Sequence, residues 1–321
     1  MKKLFIFAFS AVLIFNLSAK EHDFSFGVNF GSLGGQAQEI VYASSKTENY
    51  LSELLWNVDS LNCIGLDIRY SWLKPGNKAG VFANGSFKFG VSDGADIMED
   101  KDWLAYKLTG RNYPNWLTNY SVHDSKVDSL NMIDFNLGMS IVIFQKFLLK
   151  PYFSYHYMHF KWSAYGGSIL YPMEWDNNNH VYVDGHVYLT QPIKVITYEQ
   201  TWHIVAPGIS FYGEFNRYFD IEIAFEVTPF IWCTAVDNHI LRDLVVTDVL
   251  TGGLFTEPSF LFSYKPTDHF VLSLSFAIRE IEKTRGNSRY KEAEKPAFIE
   301  KNISGAGYYA VDIGIISKFR F

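Results

Sequence analysis

The sequence predicts an all-β protein, a ten-stranded antiparallel transmembrane β-barrel with long extracellular loops. Three observations predict it. Apolar residues recur with period two over long runs, and no helical periodicity stands out. Short turns alternate with long polar connections. Charged residues occupy the face opposite the apolar one, which suits a polar interior inside an apolar exterior. The composition agrees: of 321 residues, 28 are Phe and 20 are Tyr, a high aromatic share. Formal net charge is -6, with no basic block, so nucleic acid is not an expected partner. No later segment has the roughly 20 apolar residues that a membrane helix needs.

The chain begins with Met1-Lys2-Lys3, an apolar run from Leu4 to Phe15, and Leu17-Ser18-Ala19 before Lys20. A short basic region, an apolar core too short to span and a small-residue cleavage site predict a secretory signal peptide at 1–19. Residues 20–321 then form the exported domain.

The strands follow. Ile64, Leu66, Ile68, Tyr70 and Trp72 alternate with Gly65, Asp67, Arg69 and Ser71. Ile133, Phe135, Leu137, Met139 and Ile141 alternate with Asp134, Asn136, Gly138 and Ser140. Phe219 to Val227 and Phe270 to Ile278 repeat the pattern, and the chain ends on it, from Tyr309 to Phe321. Short turns are expected at Lys74 to Asn77, near Gln145 to Pro151, at Phe215 to Tyr218 and at Lys265 to Asp268. Long polar loops are expected at 98–123, 172–194, 238–251 and 285–305, with a shorter one near 43–50. Several runs exceed the roughly 9–11 residues that cross a bilayer, so the barrel should stand well above it on the loop side.

Two acidic pairs fall at the tops of opposite walls of such a barrel: Asp100 with Asp102, and Asp237 with His239. Residues two apart on a strand share a face. A carboxylate beside an imidazole orients the ring and stabilises its charged form, which makes His239 a candidate general base. Two close carboxylates cannot both ionise easily, so one of Asp100 and Asp102 can keep a proton. The plain alternatives are a polar loop start and a solvated acidic loop. Strict alternation from Phe219 would turn Asp237 and His239 outward. A phase change is therefore required before Asp237, and Pro229 is where it is expected.

The nine His are scattered with no His-Glu-x-x-His, so no metal site is expected. No phosphate-cradling Gly motif occurs, and no cofactor is expected. Cys63 and Cys233 are read as small packing residues, with a single bridge as the alternative.

An ordered set of segments resembles the omptin family of outer-membrane proteases, end to end through the mature chain. It comprises Gly31 to Tyr42, Leu51-Ser-Glu-Leu-Leu-Trp56, Asp100-Lys-Asp102-Trp103, Ser121-Val-His123, Ala164 to Ser168, Asp237-Asn-His239 and Asn302 to Gly307. The resemblance implies an aspartyl-type endopeptidase at the extracellular rim. Asp237 orients His239, His239 takes a proton from a water, and the Asp100/Asp102 pair assists. It implies protein or peptide substrates at the cell surface, a monomer, and contact with outer-membrane lipid. Glu39 matches an acid that lines the family's pocket for a basic residue before the scissile bond. The second pocket acid falls at Ala235, a departure that broadens the expected specificity. Ser121 and His123 are expected beside the substrate, although Ser with His also invites a serine-nucleophile reading. The family's lipopolysaccharide ligands fall at His159 and Thr201, so dependence on that lipid is expected to be weak or absent. Two alternatives stand beside the protease: a barrel of this fold that has lost proteolysis and acts as an adhesin, and a passive channel. Inward residues such as Asp67, Arg69, Glu222 and Glu226 could pair and plug the lumen, which counts against the channel.

Overall fold

The computed structural model describes residues 22–104, 117–144, 146–176 and 181–321, without the side chains of 171–190. The expected signal peptide lies outside the described residues, as does Gln145. Fourteen strands make one antiparallel sheet among the described residues. They are β1 (His22–Tyr42), β2 (Tyr50–Trp72), β3 (Ala79–Gly90), β4 (Asp96–Asp102), β5 (Asn119–Phe144), β6 (Phe147–Asp176) and β7 (Val181–Glu214). Then come β8 (Phe219–Thr228), β9 (Ile231–His239), β10 (Leu244–Thr251), β11 (Phe255–Tyr264), β12 (Phe270–Ile281), β13 (Arg285–Glu292) and β14 (Phe298–Arg320). One short 3-10 turn, Ile240–Arg242, is the only helical element among them.

The pairings run in two circuits. The lower one is β1-β2-β3-β5-β6-β7-β8-β11-β12-β14, and β14 pairs back onto β1 from Ser25↔Arg320 to Val41↔Ser304. In the upper one β4 bridges β2 to β5, and β9, β10 and β13 bridge β7 to β14. Six long strands belong to both.

Fourteen segments replace the ten expected because the backbone breaks where it turns between the circuits. Gly94 lies between β3 and β4 with φ +49°, and Gly252 and Gly253 lie between β10 and β11 with φ +79° and +84°. Such angles suit glycine and end a ladder. Pro229 separates β8 from β9. Inward burial falls on even residues down to Glu226 and Thr228, and on odd residues from Ile231 through Cys233, Ala235 and Asp237. The phase change required of the sequence therefore occurs at Pro229. Ser60 does the same within β2, at φ 49°.

The expected long loops are a partial misreading. Residues 98–102 and 119–123 are strand, and so are 244–251, 285–292 and 298–305; the backbone at 172–176 and 181–194 is strand as well. Apart from 244–251, which is largely apolar, these segments show no clear apolar face to read, yet neighbouring strands supply their hydrogen-bond partners. The expected short turns at 74–77, 215–218 and 265–268 fall between strands as read.

The lower half turns large apolar side chains outward. Phe153 is 67% exposed, Leu137 55%, Ile223 55% and Ile315 52%. An apolar exterior of this extent lies far beyond a soluble monomer's patches. Inside, polar groups pair. Arg69 meets Asp67 at 3.1 Å and Glu222 at 3.5 Å, and Lys150 meets Glu222 at 2.6 Å. His156 lies 2.7 Å from both Asp134 and Glu226. Arg279 bonds Glu257 and reaches Asp134 at 3.3 Å, and Lys88 bonds Asp312. The expected pairing of Asp67, Arg69, Glu222 and Glu226 is thus present, and these groups line a cavity of about 200 Å³ in the lower interior.

Above this network lies an aromatic layer. Trp56 stacks on Tyr198 at 5.6 Å, Tyr198 on Trp162 at 6.0 Å, and Trp162 on Phe160 at 5.2 Å. All four are fully buried. Gln200 donates to the Tyr198 hydroxyl and accepts from Trp202 Nε1. Cys63 and Cys233 are buried and unbridged, as packing residues.

Removing one side of a buried ion pair leaves the other charge uncompensated, at about 3–5 kcal/mol. Arg279→Ala strands Glu257 and takes one partner from Asp134. It is expected to lower the unfolding midpoint in detergent, and adding Glu257→Gln should recover part of the loss.

Candidate functional site

At the end of the sheet remote from both described termini, rows of opposed residues carry the candidate groups. Directly opposed residues share a face about 5 Å apart. On one wall Glu39 opposes Leu54, Leu54 opposes Asp100, and Asp100 opposes Ser121. On another, Tyr198 opposes Asp237 and Asp237 opposes Val246. His239 ends β9 beside Ile196.

A cleft of about 260 Å³ brings the walls together, lined by Asp100, Asp102, Ser121, His123 and His239 among others. Five of the six residues singled out from sequence in the two pairs and the Ser-x-His, all but Asp237, thus meet there. Asp237 stands directly behind, its Oδ2 2.5 Å from His239 Nε2. Glu39 is buried next to them rather than in the cleft lining.

The electrostatics follow from burial. His239 Nε2 donates a hydrogen bond to Asp237, which leaves Nδ1 as the basic nitrogen. Burial opposes the charged imidazole, but the Asp237 charge and hydrogen bond outweigh it and raise His239 above its ordinary value. Arg242, at the cleft edge, acts the other way. Burial first, and then the adjacent Asp102 charge, push Asp100 up to about 7. Ser52 Oγ donates to Asp100 Oδ1 at 3.5 Å and weakly favours its charge. Burial, with Asp237, Asp248 and Asp100 nearby, raises Glu39 well above the usual carboxylate range.

Ser121 and His123 are a hydrogen-bonded pair, Oγ to Nε2 at 3.0 Å. The other imidazole nitrogen donates to the Gly166 carbonyl. A carbonyl does not stabilise an imidazolium as a carboxylate does, and burial lowers the His123 value. The pair is therefore a poor nucleophile system and a good neutral fixture of the cleft wall.

Reading the sequence missed Ser52, Arg242, the Gly166 carbonyl and Asp248. Asp248 lies in a segment expected to be loop. It is buried on β10, and its position opposite Ala235 has no signal in the chain itself. His159, singled out for lipid, bonds Thr201 at 3.0 Å, and the neighbouring Lys161 bonds Glu199.

An antiparallel sheet whose last strand pairs with its first, with a carboxylate and imidazole cleft at one end, defines the class of protein. The family model described as the Omptin family matches residues 20–321, and the chain belongs to that family. Comparison with curated proteins gave no sequence match. Among solved structures, the outer membrane protease OmpT from Escherichia coli is 17% identical, with 93% of this chain and 97% of that chain covered and a TM-score of 0.81. At that identity the likeness concerns the fold. The outer membrane protein OprG from Pseudomonas aeruginosa is 10% identical, over 94% of this chain and 97% of that one, with a TM-score of 0.37. The toluene transporter TodX from Pseudomonas putida is 7% identical, over 93% and 89%, with a TM-score of 0.32.

Burial pushes Asp248 from its ordinary 3.8 to about 7. The folded state then holds a proton that the unfolded chain has lost, so stability falls as pH rises through that window. The loss by pH 8 amounts to about 4 kcal/mol at most. Asp248→Asn carries no charge to bury. It is expected to raise the thermal midpoint at pH 8 and to change it little at pH 4, where Asp248 is protonated when folded.

Proposed function

We propose that this protein is an outer-membrane endopeptidase whose chemistry sits at the extracellular rim. Each circuit of pairings passes through ten strand positions, and we read the fold as a ten-stranded barrel that crosses the membrane with its lower half. The outward apolar side chains and the family support that reading. The single observation that carries the peptidase reading is the cleft that gathers Asp100 and Asp102 with His239, which Asp237 holds from behind.

The proposed mechanism needs no covalent enzyme intermediate and no cofactor. A water between His239 and the Asp100/Asp102 pair gives a proton to His239 Nδ1 while its oxygen attacks the peptide carbonyl. Asp237 keeps the ring oriented and stabilises the imidazolium. The protonated member of the Asp pair donates a hydrogen bond to the oxygen on which charge develops. His239 then returns the proton to the leaving amine. Ser121 and His123 form a neutral wall for the substrate, and Glu39 favours a basic residue before the scissile bond. Substrates are proteins or peptides at the cell surface, and the protein acts as a monomer. The hydrogen bonding of His159 to Thr201 and of Lys161 to Glu199 supports weak dependence on lipopolysaccharide, since these groups already have partners.

Cleavage of a mixed peptide library by refolded protein, with and without lipopolysaccharide, tests this reading. His239→Ala is expected to lower kcat/KM by about 10²–10⁴-fold, the typical worth of a positioned base. Cleavage that survives in His239→Ala would assign the base elsewhere. No cleavage by folded wild-type protein in either lipid condition would favour a surface-binding role.

The pH profile gives a second expectation. The base must be neutral, so activity rises with pH through the raised value of His239. The Asp pair must keep a proton, so activity falls above about 7, the value at Asp100. kcat/KM should therefore follow a narrow bell near neutrality. Asp100→Asn, which cannot titrate, should move the alkaline limb upward in whatever activity it retains.

A further inference from the structure

At the end of the sheet where both described termini lie, the interior opens into a cavity of about 400 Å³, lined by other residues than the cleft of the upper half. Its charged side chains are sorted into pairs. Asp23 meets Arg320 at 2.7 Å, and Glu222 meets Lys150 at 2.6 Å and Arg69 at 3.5 Å. Lys265 meets Asp220 at 3.2 Å and Glu214 at 3.5 Å. Lys318 lines the same cavity and is only 4% exposed, yet it has no ion pair or hydrogen bond with a described residue. A buried ammonium that has left water and gained no carboxylate is costly to keep. Every described acid that lines this cavity already faces another cation, so the chain itself supplies no counter-charge for Lys318.

The register explains how Lys318 is placed. It opposes Gly27 across the β1–β14 ladder, and Gly27 opposes Asp67 across the β1–β2 ladder. A Cβ at Gly27 would lie 2.5 Å from Lys318 Cγ, so the lysine side chain runs through space that any larger residue would fill. Two residues along, on the same inward face, Ser25 stands between Arg320 and Arg69. Of the charges that act on Lys318, that of Arg69 is the largest, followed by those of Asp67, Glu222 and Asp220. Asp67 is itself engaged by Arg69 at 3.1 Å. An ammonium and a guanidinium thus face one cavity from the two strands that flank β1.

We infer that this cavity is a binding site for a small oxyanion, phosphate or a phosphate monoester, held by Lys318 together with Arg69 at the end of the sheet opposite the cleft. A tetrahedral oxyanion offers acceptors in several directions, so it can bond an ammonium on one strand and a guanidinium on another. The cavity has room for it, since one water takes up roughly 30 Å³ of liquid volume. Lys318 is buried inside the sheet and not on its apolar exterior, so the phosphate reaches it from solution and not as the headgroup of a bilayer lipid. The inference does not depend on the peptidase reading.

The test uses full-length protein refolded in phosphate-free detergent solution, with inorganic phosphate and glycerol 3-phosphate titrated by calorimetry at fixed ionic strength. Wild-type protein is expected to bind a single phosphate. Lys318→Met keeps most of the side chain without its charge. It is expected to weaken binding by about tenfold or more, while its thermal midpoint without phosphate stays equal or rises. Ser25→Asp places a carboxylate between Arg69 and Arg320. It should also lose phosphate binding, with a raised midpoint, because the counter-charge now belongs to the chain. Phosphate stabilises folded proteins in general by exclusion from their surface, so only the part of any rise in midpoint that both variants lose counts as binding. Binding of both probes marks a cavity that takes esterified phosphate, and binding of the inorganic ion alone marks one that takes the free ion. Wild-type protein that binds neither probe overturns the inference. So does phosphate binding of wild-type strength in folded Lys318→Met or folded Ser25→Asp.

Discussion

The ladder between β1 and β14 is the constraint on which the rest depends. It joins the last strand to the first, so β1 has partners on both sides and presents no open edge. With backbone groups satisfied within the sheet, the outer face can be apolar throughout its lower half without exposing unpaired N–H or C=O groups. The same ladder fixes register. Glu39 lies opposite Ala306 on one side and Leu54 on the other, and a slip of one residue would turn Glu39 outward.

Within that frame the interior is organised by charge. Below the aromatic layer, acids and bases neutralise one another at hydrogen-bonding distance. Above it buried acids outnumber bases, with His239 bonded to Asp237, and burial lifts the proton affinity of Asp100, Asp248 and Glu39. The upper half is thus the less stable arrangement, held in place by long strands that continue from a well-paired lower half. Strain of this kind concentrates at sites that act on ligands, where stability and activity pull in opposite directions.

Much of this was legible in the sequence. Alternation showed the strands because inward and outward faces differ in polarity wherever one face meets an apolar exterior. Pro229 marked the change of phase that turns Asp237 and His239 inward, since proline cannot continue a ladder in register. The acidic pairs and Ser121 with His123 were visible as residue types two apart, and the cleft holds them together. The upper strands were not legible. From 98 to 102 and from 285 to 305 both faces are polar, so no periodicity distinguishes a strand from a loop. Asp248 was invisible for a related reason: its place follows from the pairing of β9 with β10, a relation between distant strands that no local pattern encodes. The carbonyl of Gly166 behind His123 carries no side-chain signature at all.

The aromatic layer has a consequence of its own. Trp56, Tyr198, Trp162 and Phe160 pack ring on ring with no exposed surface. They stand between the ionic network beneath and the carboxylates above, so the two sets of charges meet rings rather than each other. An apolar floor of this kind keeps the counter-charges of the lower interior away from the acids of the cleft, whose proton affinity then stays high.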